Sequence, residues 1–395
     1  MKLIDVANLT KAAIAQTIGA EYMDVETTNL SALESFKIAD VGETVINAGS
    51  TDVYCKALIG RLGKMVIDEK RYKGEIPSLF YDNFEWGDFT ERSYFSPQDV
   101  INDSMWNLVN GNSYDDHVFY QPNVTVKIFE EGKAITCPIS ITEEQLKTAF
   151  TSWDEMNRFL SGIRVNVENT LELAMQSYAF MLMQCAIAVS TTKTEHTIPL
   201  KTAAVAAGID GVTADSDPME LLNNPAFMTY ANKLIATFRK YMGRYSTAFN
   251  NGAIPTFTSE EDSRLCLLTD FVKATKFNVK ANTFNKDEIA VGSYDEVCAW
   301  QAFKDSNGND FNFATNSSVM ISADANNKLG IGTSAATYEN VIGVLYDHRA
   351  LGICPYRTKV TSNYTASADF WNEYHHVYVN YILDDNFPII TFTLN

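Results

Sequence analysis

"ISITEEQLKTAFTSWDEM", residues 139–156, passes from alternating β-branched residues into a helix within a few positions, and its reading decides the fold. Thr142 followed by Gln145 is a capping box. The Thr hydroxyl and the Gln amide satisfy free N–H groups of the first turn, and Glu143 and Glu144 favour the positive end of the dipole. Beyond the cap, Leu146, Phe150, Trp153, Met156, Leu160, Ile163, Val167, Leu171, Ala174, Tyr178, Met181 and Cys185 recur at steps of three or four, so one stripe faces a core throughout. Unbroken, this helix would run roughly 65 Å, more than the diameter of a small domain. Ser161-Gly162 is the place where it would break.

Upstream, the pattern is one of strands and loops. The first 45 residues are short apolar pairs separated by polar ones, with a helix expected near Leu9 to Ile18 and a Gly-rich turn at Gly42 to Gly49. They read as an arm that needs a surface to lie on. Met65 and Ile67 alternate with Lys64 and Asp68, and Val124, Val126 and Ile128 alternate with polar partners in the run "NVTVKIFEEGKAITCPISI", as strands do. Between these runs, residues 82–122 are dense in aromatics and turn formers without a sustained period. About 40 such residues in a compact domain mark a functional or binding loop. The expected structure is a long hairpin whose tip, with Trp86, Phe89, Tyr94 and Phe95, packs on another chain. Acidic Glu85, Asp88 and Glu91 beside these rings disfavour nucleic acid as the partner, and aromatics supply much of the energy at protein interfaces.

Downstream, Asn224-Pro225 announces a second helix to about Tyr241. A strand-like run from Arg264, a helix from Phe271 and short strands to about Asn340 follow, which is α+β texture. The tail, residues 341–395, carries two or three strands rich in Val, Ile, Tyr and Phe. A strand cannot stand alone, so the tail is expected to form a sheet against the long helix, with the middle of the chain inserted between them.

Composition sets the outer limits. A chain of 395 residues, 46% hydrophobic and 20% charged, is ordinary globular protein with room for two or three domains. Forty-nine acidic against 31 basic side chains give a formal net charge of −18, which repels polyanions and excludes tight nucleic-acid binding over a broad surface. The N-terminus is interrupted by Asp5, Asn8 and Lys11 before a signal-peptide core could form. The most apolar stretch, Ala179 to Val189, is shorter than the about 20 residues a bilayer needs. Six widely spaced cysteines without a C-x-x-C read as reduced, mostly buried thiols.

Motifs with chemical potential are few. Gly330-Ile331-Gly332-Thr333-Ser334-Ala335 matches the outline of a dinucleotide fingerprint, but it follows "DANNK" rather than a buried strand and has no βαβ context, so it reads as a loop. Asp115-Asp116-His117 and His375-His376 offer metal-ligand types, and Asp347-His348 could mimic an acid–base pair. Neighbours on a strand point to opposite faces, so His375 and His376 cannot readily share a metal. Asp384-Asp385 reads as a turn without chemistry. There is no nucleophile elbow and no Walker loop. No catalytic, cofactor-binding or metal residue is expected.

An arm, a long hairpin, a long helix, a central α+β insertion and a terminal sheet follow one another in the order of the HK-97-type fold of tailed-phage major capsid proteins. More specifically the chain resembles the major head protein of the phi-29 group of short-tailed phages. The words that carry this are Gly60-Arg61-Leu62-Gly63, Lys73-Gly74-Glu75-Ile76-Pro77, Pro122-Asn123-Val124, Leu146-Lys147-Thr148-Ala149-Phe150-Thr151-Ser152-Trp153 and Phe370-Trp371-Asn372-Glu373-Tyr374-His375-His376-Val377. The resemblance covers most of residues 55 to 185 and the last 55.

The resemblance implies an N-terminal arm (1–50), an extended E-loop hairpin (51–140), a peripheral domain with a spine helix (141–205), an axial domain (206–340) and peripheral strands (341–395). It implies a structural protein, not an enzyme, without cofactors. Its copies would assemble as pentamers and hexamers into an icosahedral or prolate head, with a scaffolding protein and a portal, around double-stranded DNA held without sequence-specific binding and away from any membrane. Assembly would take place in the bacterial cytoplasm. Some relatives carry an immunoglobulin-like domain after the last strand; decoration through one is not expected here. The alternatives are an encapsulin-like cellular compartment of the same fold and, from another class, a metal-dependent hydrolase using Asp115, Asp116 and His117.

Overall fold

From Phe370 to Leu383 the chain alternates between two environments: Trp371, Glu373, His375, Val377 and Val379 are buried, while Asn372, Tyr374, His376 and Tyr378 are half-exposed. This period of two places one face of a strand on a core and leaves the other to solvent. The computed structural model that shows it describes residues 75–81, 90–98, 110–111, 117, 120–129, 132–142, 145, 153–252, 254–282, 293–301, 313–365, 367–368 and 370–395. The expected arm, the strand at Met65 and Ile67, and the residues Trp86, Phe89, Asp115 and Asp116 lie outside these.

Twelve strands are described: β1 (Thr90–Phe95), β2 (Val124–Phe129), β3 (Gly132–Thr142), β4 (Thr197–Pro199), β5 (Ser263–Leu268), β6 (Asp295–Val297), β7 (Val319–Ile321), β8 (Ala336–Tyr338), β9 (Val341–Asp347), β10 (Leu351–Thr365), β11 (Phe370–Leu383) and β12 (Ile389–Thr393). They form an antiparallel β1–β2 pair, a three-stranded sheet β10-β11-β3, a five-stranded sheet β4-β12-β9-β5-β6, and a small β7–β8 pair. The tail therefore divides. β10 and β11 join β3 beside the long helix, as expected, but β9 and β12 belong to the second sheet together with β5 and β6 from the middle of the chain. The reason is visible in the sequence of these two strands. "VIGVLYD" and "IITFT" are buried at every position, and a strand covered on both faces needs a place inside a sheet rather than at a half-solvated surface. Gly343 marks how closely the strands approach: a Cβ there would lie 2.6 Å from Leu267 Cδ2.

The long helix, α1 (Trp153–Thr191), is 39 residues without a break, about 58 Å. The expected interruption at Ser161-Gly162 does not occur. At the head of the stretch the capping box is formed: Thr142 N donates to Gln145 Oε1 at 3.2 Å and Gln145 N to Thr142 Oγ1 at 3.3 Å. The buried stripe differs from the expected one beyond Leu171. Val167, Leu171, Met175, Ala179, Met183 and Ile187 are buried at uniform steps of four, whereas Met181 is exposed and Cys185 half-buried. Leu182, Ala186, Ala188 and Val189 are buried as well, so the buried face widens toward the C-terminal end of the helix. One helix thus serves both larger sheets: the Tyr178 ring packs at a tilt against Tyr381 of β11 with centroids 5.3 Å apart, and Ser190 hydrogen-bonds Thr391 of β12 at 2.5 Å. By length and composition Val165–Thr191 could cross a membrane, but half of its most apolar 18-residue window is buried in this core, which accounts for its apolar character.

Two more helices complete the second sheet's surroundings. In α2 (Pro225–Tyr241) the Asn224 side chain accepts from Ala226 N and Phe227 N, with Pro225 in the first turn, as the sequence announces. α3 (Thr269–Asn282) follows β5 directly, and Phe271 and Val272 place it on the core.

Candidate assembly interface

β1 and β2 pair with Glu91 opposite Ile128, Ser93 opposite Val126 and Phe95 opposite Val124, and with Arg92 opposite Lys127 and Tyr94 opposite Thr125. Directly opposed residues share a face, so Phe95, Val124, Val126 and Ile128 lie on one face with Glu91 and Ser93, and Arg92, Lys127, Tyr94 and Thr125 lie on the other. β1 lies inside the stretch that sequence reading leaves irregular; the strand near Met65, expected on the other arm of the long hairpin, lies outside the described residues.

The cationic face is fastened to the turn after β11. Asp384, with no exposed surface, accepts from Tyr94 Oη and, at 3.2 Å, from Arg92 Nη1. Lys127 Nζ lies 3.5 Å from Asp384 Oδ1 and 2.6 Å from Asp385 Oδ1. Arg92 also donates to the Arg349 carbonyl. The carboxylate is held by its own turn: Asn386 N donates to Asp384 Oδ1 at 3.2 Å, and Asp384 N to the Ala350 carbonyl at 2.7 Å. Phe387 fills the centre. Its ring centroid is 5.9 Å from that of Tyr94, and the guanidinium carbons of Arg92 and Arg349 stand 5.8 and 4.6 Å from it. Burial, reinforced by the neighbouring Asp384 carboxylate, pushes the Tyr94 phenol well above its ordinary range, so it remains a donor.

The segment that leads toward the hairpin is fastened as well. Ile76 and Leu79 are buried, Glu75 Oε2 accepts from Cys298 N at 3.2 Å, and Ser78 bonds both Asp295 and the buried Tyr346 hydroxyl. Tyr81 N donates to the Ile353 carbonyl at 3.1 Å. A Cβ at Gly352 would fall inside the Tyr81 ring, so glycine is required for that approach.

The opposite face of the hairpin is open. Phe95 is 69% exposed, Ile128 52%, Val126 50% and Val124 42%, with Tyr120 beside β2 at 58%. Of the four aromatics expected to contact another chain, Tyr94 points instead into its own subunit, and Phe95 alone among the described ones is free for a contact.

The remaining expectations resolve individually. His375 and His376 do point to opposite faces. His376 hydrogen-bonds Thr136 and Thr361 on the flanking strands at 2.9 and 3.1 Å, and His375 is buried 3.4 Å from Glu373, with neither of these two side chains in a hydrogen bond. Asp347 is occupied structurally, accepting from Thr258, Arg349 N and the Arg349 guanidinium. It is no free base for His348, 3.4 Å away. Gly330 ends a short helix: Gly330 N donates to Asn327 O, and Ile331 N and Gly332 N to Asn326 O. Its amides are spent on the chain itself and make no phosphate cradle. His117 is exposed, and among the described residues no group of three or more His, Cys, Asp or Glu is placed to hold a metal. Asp384, read in the sequence as an idle turn residue, is the centre of the hairpin's attachment.

Comparison with known proteins places this geometry. Residues 12–393 match the family described as Phi29-like phage major capsid protein. No curated protein matches the sequence. Among solved structures, the chain is similar to one in the capsid structure of Staphylococcus phage Andhra, at 12% identity and TM-score 0.50, over 80% of this chain and 83% of that one. It is also similar to a chain in the structure of the head fiber and inner core protein gp22 of native bacteriophage P68, at 12% identity and TM-score 0.48, covering 82% and 85%.

Proposed function

The chain belongs to the Phi29-like phage major capsid protein family, and from that premise we propose how it performs its structural role as a subunit of the virion shell. Copies associate through the open face of the β1–β2 hairpin. The single observation that carries this is the division of the hairpin into a face clamped to Asp384 and a face of four apolar side chains left to solvent. An isolated subunit gains nothing from presenting them; a tiled one buries them at every repeat, and individually modest contacts add up over a closed shell.

The finer reading follows the family. Pentamers and hexamers close the icosahedral or prolate head with a scaffolding protein and a portal in the host cytoplasm, and double-stranded DNA fills it. The formal charge of −18 suits a container that does not grip its polyanionic contents. No reaction is assigned to the chain. The proposed organisation is an arm over 1–50, a hairpin region over 51–140, a peripheral domain with α1 over 141–205, an axial domain over 206–340, and a tail over 341–395 that supplies strands to both larger sheets.

The test is to express the full chain with its natural neighbours and examine it by negative-stain electron microscopy and sedimentation velocity. Closed shells of uniform diameter, or five- and six-membered rings, are the expected result. A compact monomer that persists across salt and scaffold conditions would overturn the reading.

A further inference from the structure

We propose that Asp384 is the positioning residue of assembly: it sets the pose of the β1–β2 hairpin on the subunit, and the hairpin changes pose as one unit when its donors let go. This rests on the reading that the hairpin's open face seats on another copy.

The polar ties between the hairpin's inner face and the body converge on one small place. Arg92 and Tyr94 from β1 and Lys127 from β2 all reach the Asp384 carboxylate, so a single acceptor holds both strands. Asp385 adds a second contact to Lys127, and the Arg349 carbonyl one to Arg92. The acceptor cannot follow the hairpin if it moves, because Asn386 N and the Ala350 carbonyl fix the turn that carries it.

The environments of the two sides are unequal. Asp384 has no exposed surface, whereas the side chains of Arg92 and Lys127 keep 19% and 35% of theirs. Loss of one donor while the hairpin stays seated leaves the buried carboxylate short of a cation, which is strongly unfavourable, whereas release of the whole hairpin uncovers Asp384 and lets both sides rehydrate. Partial opening is therefore poorly tolerated. Losing one donor weakens the reason for the others to stay, and the arrangement favours two poses, held or free, over a continuum. The hairpin's own ladder from Thr90↔Phe129 to Phe95↔Val124 is made without Asp384.

The experiment measures pose directly in the unassembled full-length subunit. Spin labels are placed at Ser93→Cys on the open face of β1 and at Ala236→Cys on the exposed side of α2, with Cys55, Cys185 and Cys298 changed to serine, and the distance distribution is read by pulsed electron paramagnetic resonance. The parent should give one narrow distribution. Asp384→Asn, which keeps the shape and removes the charge, should broaden it toward longer distances while the thermal unfolding of the body is retained. An unchanged narrow distribution in folded Asp384→Asn would overturn the proposal. Should that variant fail to fold, Tyr94→Phe and Lys127→Gln, which remove donors from the hairpin alone, decide in the same way: broadening supports the latch and an unchanged distribution ends it. Shell yield separates this from the interface reading. A broadened distribution with undiminished shell yield leaves the latch standing and removes the open face as an assembly contact; a narrow one with normal shells removes the latch alone.

Discussion

Replacing Val126 and Ile128 together by aspartate probes the open face of the hairpin where it is least needed for folding. Both side chains already keep half of their surface in water, and Phe95 and Val124 beside them keep 69% and 42%. Full burial of such a side chain is worth about 1.5–3 kcal/mol, so completing the unfinished half yields about 1 kcal/mol each, or about 4 kcal/mol for the four. The double variant forfeits about 2 kcal/mol of this, a roughly 30-fold weaker contact, before the desolvation of two carboxylates adds several kcal/mol more. Within the isolated subunit the substitutions change strand preference by about 1 kcal/mol at most, because no core packing is lost. The assay follows shell formation against protein concentration by light scattering and sedimentation velocity, with calorimetric unfolding of the unassembled subunit in parallel. The expected outcome is a subunit with nearly unchanged Tm and little or no assembly at concentrations where the parent closes shells. Assembly of the variant at parental concentrations would refute the argument, since the apolar contact would then have to bury two new charges beside Glu91.

Other consequences concern the interior. His375→Leu alone should destabilise, because it removes the imidazole from beside the buried Glu373 side chain, whereas Glu373→Leu with His375→Leu should recover most of that loss; urea titrations of the two singles and the double close the cycle. Alkylation mapped by mass spectrometry should modify Cys298, which is exposed, ahead of Cys137, Cys266 and Cys354, which are buried. Burial pushes the Cys354 thiol up to about 11 and that of Cys266 well above its ordinary value, so mildly alkaline pH should not release them. Burial, then the nearby Lys193, holds His196 below its ordinary value, so the unfolded chain binds that proton more readily than the folded one. Stability should be retained above about pH 6.5 and decline as pH falls toward the folded value. His196→Asn should flatten that part of the decline in thermal unfolding scans.

How much of this was legible in the sequence depends on where each side chain found its partner. Local signals carried through. The Thr142–Gln145 box and the Asn224-Pro225 cap are formed as read, because donor and acceptor lie within three residues of each other. α1 was legible as a helix, but its buried stripe was not beyond Leu171. A reading that keeps one face inward selects Ala174, Tyr178 and Met181, and only knowledge that the helix serves two sheets selects Met175, Ala179 and Met183. The tail failed for a related reason. β9 through β12 are all apolar enough to be strands, yet pairing partners are set at long range, and nothing near Val341 announces that it joins β5 rather than β10.

The interface was hidden more deeply. "TERSYF" shows no apolar alternation, because the face that β1 turns to its own subunit is Arg92 and Tyr94, and what makes that face buriable is an aspartate some 290 residues away. Asp384 in turn looks like any turn residue before a strand. A catalytic site can be suspected from residue types because chemistry restricts them to a few kinds and spacings. A contact between copies of one chain imposes no such restriction: it needs a surface that is apolar where it meets its neighbour and firmly held where it does not. Those two requirements fall on opposite faces of the same six-residue strands. Substitutions on the two faces are accordingly separable, with Val126 and Ile128 governing whether copies adhere and Asp384 governing the angle at which they are offered.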